Sequence, residues 1–146
     1  MSKGQSPSFA TTIEVRDACL CLHVQRAARS LARLFDEAFR PVGLTNGQFS
    51  LLMSLNRPRP ARMREVAALL AMDRTTLTAA LKTLERRGLL AVDVDPDDRR
   101  GRLLTLTDAG RETLSRAVPI WRERHAELEK GIADPDGLRA ALLGIS

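Results

Sequence analysis

A chain of 146 residues, 44% of them hydrophobic and 28% charged, is the length of a single domain, with apolar side chains enough for a core and a charge content ordinary for a soluble protein. Its formal net charge of +5 suits a polyanionic partner, although charge alone speaks only of non-specific attraction. No apolar run approaches the ~18 residues that span a bilayer. The polar opening from Met1 to Ala10 lacks the charged-then-apolar order of a secretion signal, so a disordered lead over residues 1–12 and a cytoplasmic protein are expected.

From Ile13 to Phe39 the apolar residues recur with the helical period. At 100° per residue, Ile13, Leu20, Val24, Ala27, Ala28, Leu31, Leu34, Phe35, Ala38 and Phe39 share one broad face, and Arg26, Arg29, Arg33, Asp36, Glu37 and Arg40 lie opposite. One long helix is expected, ended by Pro41 and Gly43. Thr45 then reads as an N-cap, with Gln48 at capping-box spacing, opening a helix from Asn46 to Leu55. Arg57-Pro58-Arg59-Pro60 stops it and forms a rigid basic connector.

A short helix follows from Met63 to Ala71, then a break at Met72. Asp73 is the N-cap candidate for a helix from Arg74 to Arg87, in which Leu77, Ala80, Leu81 and Leu84 recur at helical spacing and Gly88 supplies the left-handed residue past the end. There the period changes. Leu89 to Val94 and Arg102 to Leu106 read as strands around the turn signal Asp95-Pro96-Asp97-Asp98, a hairpin whose tip carries Arg99, Arg100 and Gly101. Thr107 caps a further helix, which Pro119 should kink or divide. Asp134-Pro135-Asp136-Gly137 breaks the chain before a last helix, Leu138 to Leu143.

Two helices joined by a tight turn and followed by a basic hairpin are the parts of a winged helix-turn-helix. Such a module presents the first turns of its second helix to base edges in the major groove and lays its wing on the backbone or the adjacent minor groove. The side chains available are Arg74, Thr75, Thr76, Thr78 and Lys82 on the helix, and Arg99, Arg100 and Arg102 on the wing. The bland reading makes the threonines mere solvent-facing residues. Asp93, Asp95, Asp97 and Asp98 set acid beside the basic tip, where one of them could pair with an arginine and hold the wing in shape.

The order and spacing of several short segments resemble the MarR family of regulators over nearly the whole chain. They are Gly43-Leu44-Thr45 with Gln48-Phe49, Met63-Arg64-Glu65-Val66-Ala67, Asp73-Arg74-Thr75-Thr76-Leu77-Thr78, Leu84-Glu85-Arg86-Arg87-Gly88-Leu89-Leu90, Asp95-Pro96-Asp97-Asp98-Arg99-Arg100 and Leu106-Thr107-Asp108-Ala109-Gly110. The resemblance implies a mainly helical fold with a small β-wing, in which helices within 13–40 and 108–146 form a dimerisation region around a winged helix-turn-helix over 41–107. It further implies a homodimer on a palindromic operator in double-stranded DNA, usually as a repressor, released by a small-molecule effector or by thiol oxidation. The contacts carried over by position are Arg74, Thr75, Thr76, Thr78 and Lys82, with Arg99 and Arg100 on the wing.

Cys21 matches the place of the reactive cysteine in the family's peroxide-sensing branch, but that branch surrounds it with tyrosines and this chain has none; Gln25 and Phe35 stand there instead. The competing reading of a buried cysteine is a small hydrophobe. Cys19 and Cys21 are too close in sequence to suggest a disulfide framework. Cys19 and His23 have ligand spacing on a helix, but two ligands do not make a site, His125 is the only other histidine, and neither a metal nor a cofactor is expected. Trp121 reads as core or dimer packing, with the border of an effector pocket as the alternative.

An enzyme is the rival reading. It would need a nucleophile, a base and an orienting group, and the only sequence-local pair is Cys19 with His23; no glycine-rich phosphate loop is present. A winged helix used only for protein contacts is the second rival, opposed by the basic start of the second helix and by the arginines of the wing.

Overall fold

The computed structural model describes residues 4–146, which run α1 (Phe9–Ala18), α2 (Leu20–Phe39), a 3₁₀ turn (Arg40–Val42), α3 (Asn46–Ser54), β1 (Ala61–Arg62), α4 (Met63–Leu70), α5 (Arg74–Arg86), β2 (Leu90–Asp95), β3 (Asp98–Leu106), α6 (Asp108–Glu129) and α7 (Pro135–Leu143). The chain divides into two compact units, Met1–Leu34 and Phe35–Ser146. Among the described residues no helix is long and apolar enough to cross a membrane.

The first unit departs from the expected single helix in two ways. Of the lead expected to be disordered over residues 1–12, residues 1–3 lie outside the described residues, but Phe9 to Thr12 are helical, because Ser8 caps the helix by accepting the N–H of Thr11. The helix is also interrupted. Cys19 takes an extended conformation (φ −70°, ψ 109°) with no proline or glycine nearby. Its backbone ends α1 on the carbonyl of Val15, and its thiol accepts the N–H of Leu22 at the start of α2. The ring Nδ1 of His23 bonds the Cys19 carbonyl at 2.7 Å, so the Cys19–His23 spacing serves the helix joint. Along α2 only Phe39 is buried, and Leu20, Val24 and Leu31 are exposed.

The second unit is a small sheet, in strand order β1-β3-β2, with helices packed on it. Sequence reading missed β1. It is two residues long and carries no strand pattern, existing only because Ala61 and Arg62 pair antiparallel with Leu104 and Leu103 of β3. The core is aliphatic: Leu51 and Leu52 of α3, Val66 of α4, Leu77, Leu81 and Leu84 of α5, Leu90, Leu104 and Leu106 of the hairpin, and Leu114 and Ala117 of α6 are all buried. Each such leucine contributes about 1.5–3 kcal/mol over leaving it exposed. Within this unit Phe39 stacks on Phe49 at 4.5 Å between centroids.

The helix joints follow the sequence closely. Thr45 and Gln48 form the full capping box of α3. Gly88, at φ +72°, closes α5 in the left-handed region, and its carbonyl accepts the Thr107 hydroxyl at 2.6 Å, which ties the end of α5 to the start of α6. Ala71 takes the same region at φ 51° to make the tight α4–α5 turn, the one non-glycine among the described residues to do so.

Two proline expectations are corrected. Of the two outcomes expected at Pro119, a kink or a division, division does not occur: α6 is one helix from Asp108 to Glu129, in which the proline removes a single intrahelical donor and the buried Thr113, Leu114 and Ala117 hold the preceding turns in place. Asp134-Pro135 does not precede the last helix but begins it, with Asp134 accepting the N–H of Gly137 and Pro135 at the first helical position, where its missing N–H has no partner to lose.

Candidate nucleic-acid interface

The second helix of the helix-turn-helix, α5, opens on an exposed first turn because Asp73 caps it. One carboxylate oxygen accepts the Thr76 N–H at 2.8 Å and the other accepts the Thr76 hydroxyl at 2.8 Å. These two bonds, the backbone bond first, hold the Asp73 carboxyl below its ordinary 3.8. A carboxyl whose folded value lies below its unfolded value stabilises the fold above the unfolded value and loses that contribution as pH falls through the folded one. Asp73→Ala is therefore expected to lower the melting temperature at neutral pH. The difference from wild type should shrink on acidification to about pH 3 in thermal melts followed by circular dichroism. A difference that persists unchanged would mean that the cap does not act through its charge.

The helix side chains expected to meet DNA divide into two groups. The Thr76 hydroxyl is engaged in the cap, and the Thr78 hydroxyl donates to the Arg74 carbonyl at 2.7 Å, so both can offer only acceptor capacity outward. Thr75 and Lys82 are exposed, and among the described residues their side chains have no recorded hydrogen bond. Arg74 reaches across to the wing, where its guanidinium donates to the Arg100 carbonyl at 3.2 Å.

The wing differs from expectation at its tip. Its turn is Pro96-Asp97, and Arg99, Arg100 and Gly101 lie on strand β3 rather than in the loop. Asp95 explains the shift. It is buried, sits at the register irregularity of the hairpin, and accepts the Asp97 N–H at 2.9 Å, closing the turn two residues earlier. Strand alternation then sends Arg99 to one face, and Arg100 and Arg102 to the other. Arg99 and Arg100 are exposed with no side-chain partner recorded among the described residues, whereas Arg102 is half-buried and folds back on the carbonyls of Arg99 and Gly101.

Between wing and helix lies a cavity of about 290 Å³, lined by Met63 and Ala67, by Arg62, Arg64, Arg74, Arg100 and Arg102, and by Asp95, Asp98 and Gly101. Sequence reading had not named Arg62 or Arg64 as contacts; Arg62 is set beside the wing by its backbone pairing with Leu103 of β3, and Arg64 lies in the first turn of α4. The base of the hairpin is fixed to α5 by Glu85, whose carboxylate accepts the Val92 N–H at 3.2 Å. Arg74, Thr75, Lys82, Arg99 and Arg100 thus belong to one folded unit, and their free donors are suited to anionic oxygens and to acceptors on base edges.

In the first unit, Cys21 is exposed, and its sulfur accepts the side-chain amide of Gln25 at 3.1 Å. Trp121, on α6, is partly exposed and stacks on His125 with centroids 4.7 Å apart.

Comparison with known proteins agrees with this geometry. Residues 44–101 match the model of the MarR family. The chain is 30% identical over 120 residues to an uncharacterised HTH-type transcriptional regulator, YkoM of Bacillus subtilis, covering 75% of this chain and 77% of that one. It is 29% identical over 147 residues to the HTH-type transcriptional repressor NicR of Pseudomonas putida, covering 98% and 91%. Among solved structures, the M. tuberculosis transcriptional regulator MOSR in complex with DNA is 38% identical, with a TM-score of 0.81 over 87% of this chain and 92% of that one.

Proposed function

We propose that this chain, which belongs to the MarR family of DNA-binding transcriptional regulators and not to an enzyme family, is a homodimeric repressor that reads a palindromic operator through α5 and the β2–β3 wing. The observation that carries the reading is the pairing of an exposed, capped helix start with the unpartnered arginines of β3 in a single unit, Phe35–Ser146. Lys82, Arg74 and the threonines Thr75, Thr76 and Thr78 would face the major groove; Arg99 and Arg100 would reach phosphates or the minor groove. Arg102 would act from behind, shaping the strand through the two carbonyls it holds.

A homodimer accounts for apolar surface that a monomer leaves in water. Leu20, Val24 and Leu31 on α2 are exposed, as are Leu138, Leu142 and Leu143 on α7 and Ile145 beyond it. A two-fold dimer presents two recognition helices to two half-sites, which is why the operator would be palindromic. Repression follows the role named for NicR. Release would come from a small-molecule effector or from oxidation of Cys21, whose thiol is exposed and accepts the Gln25 amide.

The test is selection of genomic fragments by the purified protein, with sedimentation of the protein alone and repetition after peroxide. Recovery of inverted repeats by a dimer is the expected result; a monomer, or recovery without sequence preference, would overturn it. Peroxide should release wild type and leave Cys21→Ser bound. Wild type that stays bound under peroxide removes the oxidative route.

A further inference from the structure

We infer that Arg62 and Asp95 form a wing-positioning pair, which sets where the β3 arginines stand relative to α5 without itself touching DNA. The inference rests on the reading of the wing as a DNA-contacting element.

Three observations carry it. Asp95 is the only buried carboxylate among the described residues, its side chain 5% exposed, and it sits at the outer end of β2 beside the turn. Arg62 belongs to β1, and β3 lies between β1 and β2. The Arg62 side chain therefore crosses the middle strand to bring its Nε within 3.7 Å of Asp95 Oδ2. On the backbone Arg62 pairs with Leu103, the last β3 residue tied to β1 in the direction of the turn, so the strand from Asp98 to Arg102 has no neighbour on that edge. The projecting end of the hairpin is thus held by two side-chain ties, Arg62 to Asp95 and Arg74 to the Arg100 carbonyl. Gly101 fits the same arrangement: a Cβ there would stand 3.3 Å from the Asp95 Cβ and 3.2 Å from the Asp98 carbonyl oxygen, so the strand closes tightly over the carboxylate.

The electrostatics select a positioning role over a phosphate contact. A buried carboxylate without its cation is costly, so Arg62 is retained by Asp95 and is the less available to a phosphate. Asp95 also holds the Asp97 N–H, so a change at Arg62 is transmitted to the turn that precedes Arg99 and Arg100.

Hydrogen exchange on the DNA-free protein tests the pair. Amides between residues 92 and 103 are compared in wild type, Arg62→Ala, Asp95→Asn and the double variant, with the buried turn of α5 as internal reference. Each single variant should speed wing exchange about fivefold, and the double variant should be no faster than the faster single one. Unchanged exchange, or effects that multiply, would overturn the pair. If Asp95→Asn also loosens α5, Arg62→Gln, at the exposed end of the pair, gives the same reading while leaving the Asp95 side chain itself unchanged.

Titration with the duplex recovered by the wild-type protein then follows. Both single variants should weaken binding about tenfold, non-additively, with the salt slope of wild type. A slope that falls by about one for each half-site in Arg62→Ala but not in Asp95→Asn makes Arg62 a phosphate contact and sinks the positioning role. Failure of the wild type to bind any duplex would overturn the DNA reading while leaving the exchange result standing.

Discussion

Gly110→Ala is expected to lower the melting temperature of this protein by about 10 °C, the largest stability effect of any single-methyl change here. Gly110 occupies the first turn of α6, where the helix passes against the start of β2. A Cβ there would be driven into the carbonyl oxygen of Leu89, with the Leu89 carbonyl carbon at 3.1 Å and Leu106 Cδ2 at 3.2 Å. None of these is the loose end of a flexible side chain. The Leu89 carbonyl is fixed by the Thr107 N–H, the hydroxyl of Thr107 is fixed by Gly88, and Leu106 is core. Relief requires moving α6 off the sheet, which costs about 3 kcal/mol or more, toward the upper end for overpacking. Gly47→Ala is the matched control. Gly47 also sits in the first turn of a helix, but nothing lies within 4 Å of its added Cβ, so that change should be neutral or stabilising by up to about 1 kcal/mol. Equal melting temperatures for the two variants would show that the approach of α6 to β2 does not depend on the missing Cβ at Gly110.

The same glycine illustrates what the sequence makes legible and what it does not. Its place after Leu106-Thr107-Asp108-Ala109 was readable as a helix start following a strand, because a cap residue and an end of alternation are local signals. That the helix rides on the Leu89 carbonyl is not local, and nothing in the spacing announces it. The same division holds along the chain. The bounds of α3, α4 and α5 could be read within a residue or so, since Thr45, Asp73 and Gly88 are local punctuation. The break at Cys19 could not, because a thiol cap and a histidine ring bond substitute for the proline or glycine that normally marks one. β1 could not either, since two residues acquire strand character only from their partner.

The candidate interface divides in a similar way. Which residues carry useful chemistry was evident from type and spacing, and the structure gathers Arg74, Thr75, Lys82, Arg99 and Arg100 on one folded unit. How their donors are already engaged was not evident. Thr76 and Thr78 look identical to Thr75 in sequence, yet the first two hydroxyls are bonded within the helix. Arg102 looks identical to Arg100, yet it folds inward. The acidic neighbours of the wing suggested that one aspartate pairs with an arginine, and strand order decides that it is Asp95 with Arg62, a residue 33 positions earlier whose proximity depends on the β1–β3 pairing.

Replacing Arg99 and Arg100 together by Ala should weaken DNA binding about a hundredfold for each half-site at moderate salt, the largest functional loss expected from the wing. Each guanidinium forms a charge-assisted hydrogen bond worth about 1.5 kcal/mol or more when it meets a phosphate, and two such losses give roughly a factor of a hundred. The sharper reading is the salt dependence. Each phosphate contact releases condensed counterions and contributes about −0.9 to the slope of log K against log salt, so the double variant should flatten the slope by about 1.8 for each half-site, or about 3.6 for a dimer with both wings on DNA. The two singles separate the faces of the strand. Arg100 lies on the side of the cavity shared with α5, and Arg99 points the opposite way. If Arg100 enters the minor groove, its loss should depend on the A·T content of the sequence beneath the wing, while loss of Arg99 should be uniform across sequences. Stability should not change, because both side chains are exposed and, among the described residues, form no hydrogen bond or ion pair. A double variant with the affinity and salt slope of wild type would remove the wing from the interface and leave α5 to bind alone.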